Sequence, residues 1–153
     1  MKSISLVLFV LAAISFAEVS GDMIEGYLNQ IGEELIYERV DNEFMLLAET
    51  EDGSQVPYMY ILADPEMEGC LLVALTPGVL PSSGAERTAG LETIAQLNWN
   101  NTWVKFAIDP ETGEISAMYT FSTENGVGYE SFAIMLNLLL GTVDENWDRL
   151  LAI

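Results

Sequence analysis

The first segment with a regular apolar pattern has helical spacing. Its apolar residues recur three or four positions apart, at Ile24, Tyr27, Leu28 and Ile31. This spacing predicts an amphipathic helix over residues 22–33, which Gly32 helps to end. Asp22 is the predicted N-cap, because Glu25 follows it by three residues in the pattern of a capping box.

Three segments rich in strand-forming residues come next, separated by short acidic turns. They are Phe44–Glu49, Gln55–Ala63 and Cys70–Thr76. Short runs of this kind between turn residues predict a three-stranded antiparallel meander. Pro57 indicates the start of a strand or an edge strand, because proline cannot donate to a ladder.

The second half begins with a loop at 77–84 (PGVLPSSG), which contains most of the strand- and helix-breaking residues. A second helix is predicted over 85–98, and the Asn-rich cluster at 98–101 closes it. Residues 104–108 and 115–121 alternate clearly between apolar and polar positions, which predicts a hairpin with its turn at 109–113. Two final helices are predicted at 129–140 and 143–152, separated by Gly141.

The predicted element order is therefore α-β-β-β-α-β-β-α-α. An order that groups strands between helices is typical of an α+β fold, with an antiparallel sheet packed against helices. The pattern shows neither an internal repeat nor a dividing linker, so residues 18–153 are predicted to form a single domain.

Residues 1–17 have the pattern of a cleaved secretory signal peptide. Lys2 precedes the apolar run 4–16, and Ser15 and Ala17 are small residues at the positions that signal peptidase reads. The run is shorter than the roughly 20 residues that span a bilayer. An uncleaved membrane anchor is the alternative. After cleavage no stable membrane insertion is expected, and the mature protein is predicted to be periplasmic or secreted.

Charge and composition exclude several functions. The formal net charge is −19, and loss of Lys2 with the signal peptide makes it −20. Such a chain repels nucleic acid, so no nucleic-acid partner is predicted. Histidine is absent, which removes the usual catalytic triads and zinc sites. The single cysteine, Cys70, heads an apolar run and is interpreted as a buried structural thiol.

The remaining candidate chemistry is that of 24 Asp and Glu residues. We interpret them mainly as a solvated surface. Calcium binding is an alternative, since hard cations prefer oxygen ligands, but no segment matches an EF-hand loop. A carboxylate-dependent hydrolase also stays open, although no pair of acids is singled out. We therefore predict no catalytic residue, no metal site and no cofactor.

Two places are candidate binding sites. The first is the corner after the second helix, where Trp99, Asn100 and Trp103 would suit polar recognition on a rigid support. The alternative is that the asparagines at 98–101 cap the helix and bond the turn backbone. At the second place, Tyr58 and Tyr60 would form an edge that accepts a partner strand. Its alternative is ordinary alternation, with one strand face buried.

The amino-acid sequence of the second half resembles that of the YbjN family of bacterial proteins. The resemblance covers Leu91–Ile153 and rests on a helix ending in Leu-Asn-Trp-Asn at 97–100, the hairpin of 104–121, and Val143-Asp144 and Trp-Asp-Arg-Leu at 147–150. The element order also resembles the type III secretion chaperone-like fold. The first half agrees in element order only.

This resemblance implies a regulator or chaperone-like adaptor rather than an enzyme. We therefore expect an exported, non-enzymatic module that binds a protein or peptide, with a homodimer as a further expectation. A sensor that binds a small ligand or a divalent cation is the alternative. Secretion chaperones act in the cytoplasm, so an export signal argues against copying that role to this chain.

Overall fold

The computed structural model describes residues 19–32, 35–49, 53–64, 69–124 and 126–153. The predicted signal peptide lies outside these residues, so cleavage stays a prediction. The turns predicted at 51–53 and 64–69 lie largely outside them as well. Among the described residues, no helix has the length and apolar character needed to cross a membrane.

The described elements alternate between helices and a run of strands. The helices are α1 (Gly21–Ile31), α2 (Gly84–Asn100), α3 (Tyr129–Glu145) and α4 (Trp147–Leu151). The strands are β1 (Tyr37–Val40), β2 (Glu43–Glu49), β3 (Gln55–Asp64), β4 (Gly69–Val79), β5 (Lys105–Ile108) and β6 (Glu114–Ser122).

All six strands form one antiparallel sheet in the order β1-β2-β3-β4-β6-β5. This arrangement confirms the predicted α+β class and the predicted hairpin of β5 and β6. The three-strand meander was incomplete, because β1 precedes it and pairs with β2 through a tight turn at 41–42. β1 escaped prediction since it is only four residues long and two of them, Glu38 and Arg39, are charged.

Two predicted breaks were wrong. β4 continues to Val79 through Pro77 and Gly78, where the loop had been predicted. α3 runs unbroken through Gly141. Thr142 and Val143 beside this glycine are buried while Gly141 is exposed, so packing of its neighbours outweighs the roughly 1 kcal/mol helix penalty of glycine.

The hydrophobic core lies between the helices and one face of the sheet. A single row of inward-facing residues crosses all six strands in register, namely Tyr37, Leu46, Met59, Ala74, Ala117 and Phe106. Helix residues such as Leu28, Phe132 and Leu139 pack into the same cluster and are fully buried. Burial of this continuous apolar layer is the main source of the fold's stability.

α1 begins one residue earlier than predicted and has a different cap. Ser20 is the N-cap, and its hydroxyl accepts from the Met23 N–H at 3.4 Å. Asp22 and Glu25 do not form a capping box there. Both carboxylates instead pair with the guanidinium of Arg39 on β1, which ties the helix to the edge of the sheet.

Candidate functional site

The second face of the sheet, opposite the core, carries large apolar side chains that no described helix buries. Strand register aligns a row of six residues across this face: Glu38, Met45, Tyr60, Val73, Met118 and Lys105. We define the open face as Met45, Leu47, Tyr60, Leu62, Leu71, Val73, Leu75 and Met118. None of these eight residues is buried, whereas most of their immediate strand neighbours are core residues.

The open face exposes a substantial apolar area. Tyr60 is 37% exposed and Leu62 is 36% exposed, and Leu75 on the neighbouring strand is 39% exposed. The adjacent core residues Met59 and Leu72 are 0% exposed. Apolar side chains that share one sheet face without a covering helix in the described part of the chain are a candidate interaction site.

Carboxylates border the open face. Strand alternation places Glu38, Glu43, Glu49 and Glu114 on the same side of the sheet at its margins, and all four are exposed. Lys105 is the one cation in the central row. Its ammonium donates to the carbonyl oxygens of Asn98 and Asn101, so it is held at the carboxyl end of α2.

The corner after α2 is the second exposed apolar feature. Trp99 is 90% exposed and Trp103 is 65% exposed, and Asn100 between them is exposed. We call these three residues the tryptophan corner. Lys105 lies between the tryptophan corner and the row of six residues on the open side of the sheet. It is the last residue of that row, and its ammonium bonds the carboxyl end of α2, where the corner begins.

The capping interpretation of the corner asparagines is confirmed for Asn101, whereas Asn98 instead bonds the backbone of strand β5. The Asn98 side chain accepts from the Phe106 N–H at 2.7 Å and donates to the Phe106 carbonyl at 3.0 Å. The Asn101 side chain donates to the Leu97 carbonyl at 2.8 Å. These bonds fix the backbone that carries the two tryptophans.

The hypothesis of an edge strand at Tyr58 and Tyr60 is wrong. β3 is an inner strand between β2 and β4, and Tyr60 is paired with both of these neighbours. The pairing with β4 begins at Met59, and Tyr58 lies where the register between β2 and β3 shifts. Tyr58 is half-buried and packs against the core, and this burial raises the pKa of its hydroxyl. Tyr60 points to the open face. The structure therefore separates Tyr60 from the tryptophan corner by three strand spacings.

A family model, described as "Putative bacterial sensory transduction regulator", matches residues 20–152. The chain belongs to the YbjN family. No curated protein sequence matches it.

Several solved structures have a similar fold. YbjN from E. coli shares 17% identity at a TM-score of 0.62, covering 88% of this chain and 96% of that chain. A chain of the ExsC-ExsE complex shares 20% identity at a TM-score of 0.58, covering 85% and 95%. The HopA1-SchA chaperone-effector complex contains a chain with 12% identity and a TM-score of 0.52, covering 84% and 91%. The predicted type III secretion chaperone-like fold is thus confirmed.

The open face of this YbjN-family chain was not predicted from the sequence, although the composition of two strands indicates it. β2 and β4 read Phe-Met-Leu-Leu-Ala and Cys-Leu-Leu-Val-Ala-Leu, with apolar residues on both sides of each strand. An antiparallel sheet with one solvated face normally alternates apolar and polar residues. Continuous apolar strands in such a sheet therefore indicate that both of its faces carry apolar side chains.

Other chemistry in this domain is limited. Within the described ranges, no group of three or more Cys, Asp and Glu side chains has the geometry to hold a metal ion. Cys70 is buried, as predicted, and burial raises the pKa of its thiol to about 12. A groove of about 430 Å³ lies between α2 and the C-terminus, with Glu86 and Arg149 in its lining.

Proposed function

We propose that this YbjN-family protein is an exported, non-enzymatic module that binds a protein or peptide on its open face, with the tryptophan corner as an adjoining contact. The open face is the observation that carries the proposal. Its eight apolar residues lie on the four adjoining inner strands β2, β3, β4 and β6, where backbone pairing presents them as one surface. Burying such a surface against a partner is favourable at about 25 cal/mol per Å².

The tryptophan corner supports a protein partner rather than a small ligand. Tryptophan is enriched among the residues that contribute most to protein interfaces. Trp99 and Trp103 are far more exposed than apolar residues of the core, and the Asn98 bonds hold the corner rigidly. Rigid support lowers the entropy lost when a partner binds.

Similar structures support the same conclusion. ExsC is seen in complex with ExsE, and SchA is part of a chaperone-effector complex with HopA1. Each is a protein-protein complex that contains a chain with this fold. The absence of histidine and the burial of Cys70 support a non-enzymatic role. The pattern of residues 1–17 supports export.

The proposal is tested with a photo-crosslinking residue placed at Val73 on the open face, in cells that produce the full chain. The matched control carries the same residue at Ile134, which is 67% exposed on α3 behind the other side of the sheet. We expect a discrete adduct with a second protein from position 73 and none from position 134. Equal adducts from both positions, or none from position 73, would refute binding on the open face.

Export has its own test. N-terminal sequencing of the protein from the periplasmic or secreted fraction should begin at Glu18. Recovery of the chain in the cytoplasm with Met1 intact would contradict this part of the proposal and leave the binding surface untouched.

A further inference from the structure

We propose that the segment bound on the open face is a short amphipathic helix whose apolar side is flanked by Lys and Arg residues. This inference rests on the proposed function and names the chemistry of its partner. Three observations lead to it: the size of the open face, its position in the layered fold, and the charges around it.

The open face has the footprint of one helix. From Leu71 to Leu75 it extends about 14 Å along β4, at about 3.4 Å per residue. From β2 to β6 it extends three strand spacings, again about 14 Å. A helix is about 10 Å wide and rises 1.5 Å per residue, so about ten residues cover this area.

The layering of the fold favours a helix. α3 and α4 pack against β4 on the core side, and α3 also packs against β6. The same central strands carry Leu71, Val73 and Met118 on the side without a described helix. A sheet that is apolar on both faces is stable when helices cover both. An added helix would therefore complete a third layer over the strands that are most apolar.

The surrounding charges decide which helix fits. Glu38 and Glu43 border the open face near β1, and Glu114 borders it at the start of β6. The ion pairs of the described residues involve only Arg39, which faces Asp22 and Glu25 on the core side, so the bordering carboxylates have no cation partner there. If a second copy of the chain bound through the same face, the carboxylates that border one open face would lie against those that border the other. Lys and Arg beside an apolar stripe are complementary to this border and speed association.

The test uses the full mature chain and two synthetic helical peptides of about 15 residues. Both carry Leu at i, i+3, i+4 and i+7 spacing. One has Lys beside the Leu stripe and the other has Glu at the same positions. Dissociation constants are measured by fluorescence anisotropy at low and high salt, and light scattering gives the mass of the protein alone.

Two double variants with the same change in net charge separate the local border from the overall charge. E38K/E43K reverses two carboxylates at the border. D144K/E145K reverses two exposed carboxylates at the end of α3, on the other side of the sheet. We expect the Lys peptide to bind, E38K/E43K to weaken its binding about tenfold, and D144K/E145K to change it by less than about twofold. Far-UV circular dichroism and thermal melts confirm that both variants fold.

Equal weakening by both double variants, or equal binding of the Glu and Lys peptides, would overturn the inference. So would a dimer in light scattering that Val73→Glu converts to a monomer, because a second copy would then occupy the face. These outcomes are distinct from failure of the proposed function. If Val73 crosslinks to a partner segment without basic residues, the binding role stands and only the partner chemistry is wrong.

Discussion

The side chain of Asn98 forms two hydrogen bonds with the backbone of a single residue, Phe106. Its oxygen accepts from the Phe106 N–H at 2.7 Å, and its nitrogen donates to the Phe106 carbonyl at 3.0 Å. Phe106 lies at the centre of the edge strand β5, so the amide of Asn98 takes the place of a neighbouring strand. This edge of the sheet is thereby closed to strand addition.

Asn98→Ala should destabilise the protein by about 1–3 kcal/mol, because it leaves both backbone groups of Phe106 without a partner in a half-buried position. Asn100→Ala is the matched control, since Asn100 is exposed on the same turn, and should change stability by less than about 0.5 kcal/mol. Urea denaturation followed by circular dichroism measures both. Equal stability of the two variants would contradict a role for the Asn98 bonds.

Gly113 should be far less tolerant of alanine than Gly53. Both have a positive φ, of 80° and 79° respectively. A Cβ at Gly113 would lie 2.5 Å from the Leu80 carbonyl oxygen, whereas nothing lies within 4 Å of one at Gly53. Gly53→Ala should cost about 1–2 kcal/mol from backbone strain alone. Gly113→Ala adds a collision with backbone, so its melting temperature should fall clearly further. Equal shifts would show that the Leu80 contact is unimportant.

Acid should remove a stabilising contribution of Asp109. Its carboxylate accepts the backbone N–H groups of Thr112 and Glu111, and these bonds lower its pKa. The carboxylate has a lower pKa in the folded protein than its ordinary value of about 3.9 in the unfolded chain. Its ionised form therefore stabilises the fold at pH values above about 3.9, and this contribution is lost as the pH falls through the folded pKa. Asp109→Asn should therefore be less stable than the wild type at about pH 7, and the difference should be smaller at about pH 2.

Urea midpoints at the two pH values measure this difference. Glu111→Gln in the same turn is the control for the loss of one negative charge, because the turn bond to Asp109 uses the backbone N–H of Glu111 and not its side chain. A difference for Asp109→Asn that is the same at both pH values would show that the turn bonds do not depend on the charge of Asp109.

Cys70 should react with thiol reagents only after unfolding. Burial raises the pKa of its thiol to about 12, so the reactive thiolate is negligible in the folded protein at mildly alkaline pH. In the unfolded chain the thiol has its ordinary pKa of about 8.5. The free energy of unfolding should therefore fall as the pH rises from about 8.5 toward the folded pKa. Labelling with iodoacetamide and mass spectrometry across a urea titration should follow the unfolding curve. Rapid labelling in native buffer would contradict the buried position.

The hairpin of β5 and β6 was predictable from sequence, because its signals are local. Alternation over each strand assigns the faces, and Asp109 and Gly113 supply the turn chemistry between them. Capping by Asn101 was predictable for the same reason, since its side chain bonds the Leu97 carbonyl four residues earlier. Both features depend on residues that are close together along the chain.

Three features depended on contacts between distant segments. β1 forms only because β2 pairs with it and α1 binds its Arg39. α3 passes through Gly141 because its neighbours are packed against the sheet. Tyr58 and Tyr60 were wrongly expected at an edge, since strand order in a sheet is set by pairing with β2 and β4 rather than by strand composition.

The α+β class, the acidic composition, the lack of histidine chemistry and the pattern of residues 1–17 follow from composition and local periodicity, so they can be read from the sequence. Within the residues that the structure describes, packing leaves one of two apolar sheet faces without a covering helix and places carboxylates around it. The sequence shows that a strand is apolar on both sides. Which side the helices cover depends on packing across the whole chain.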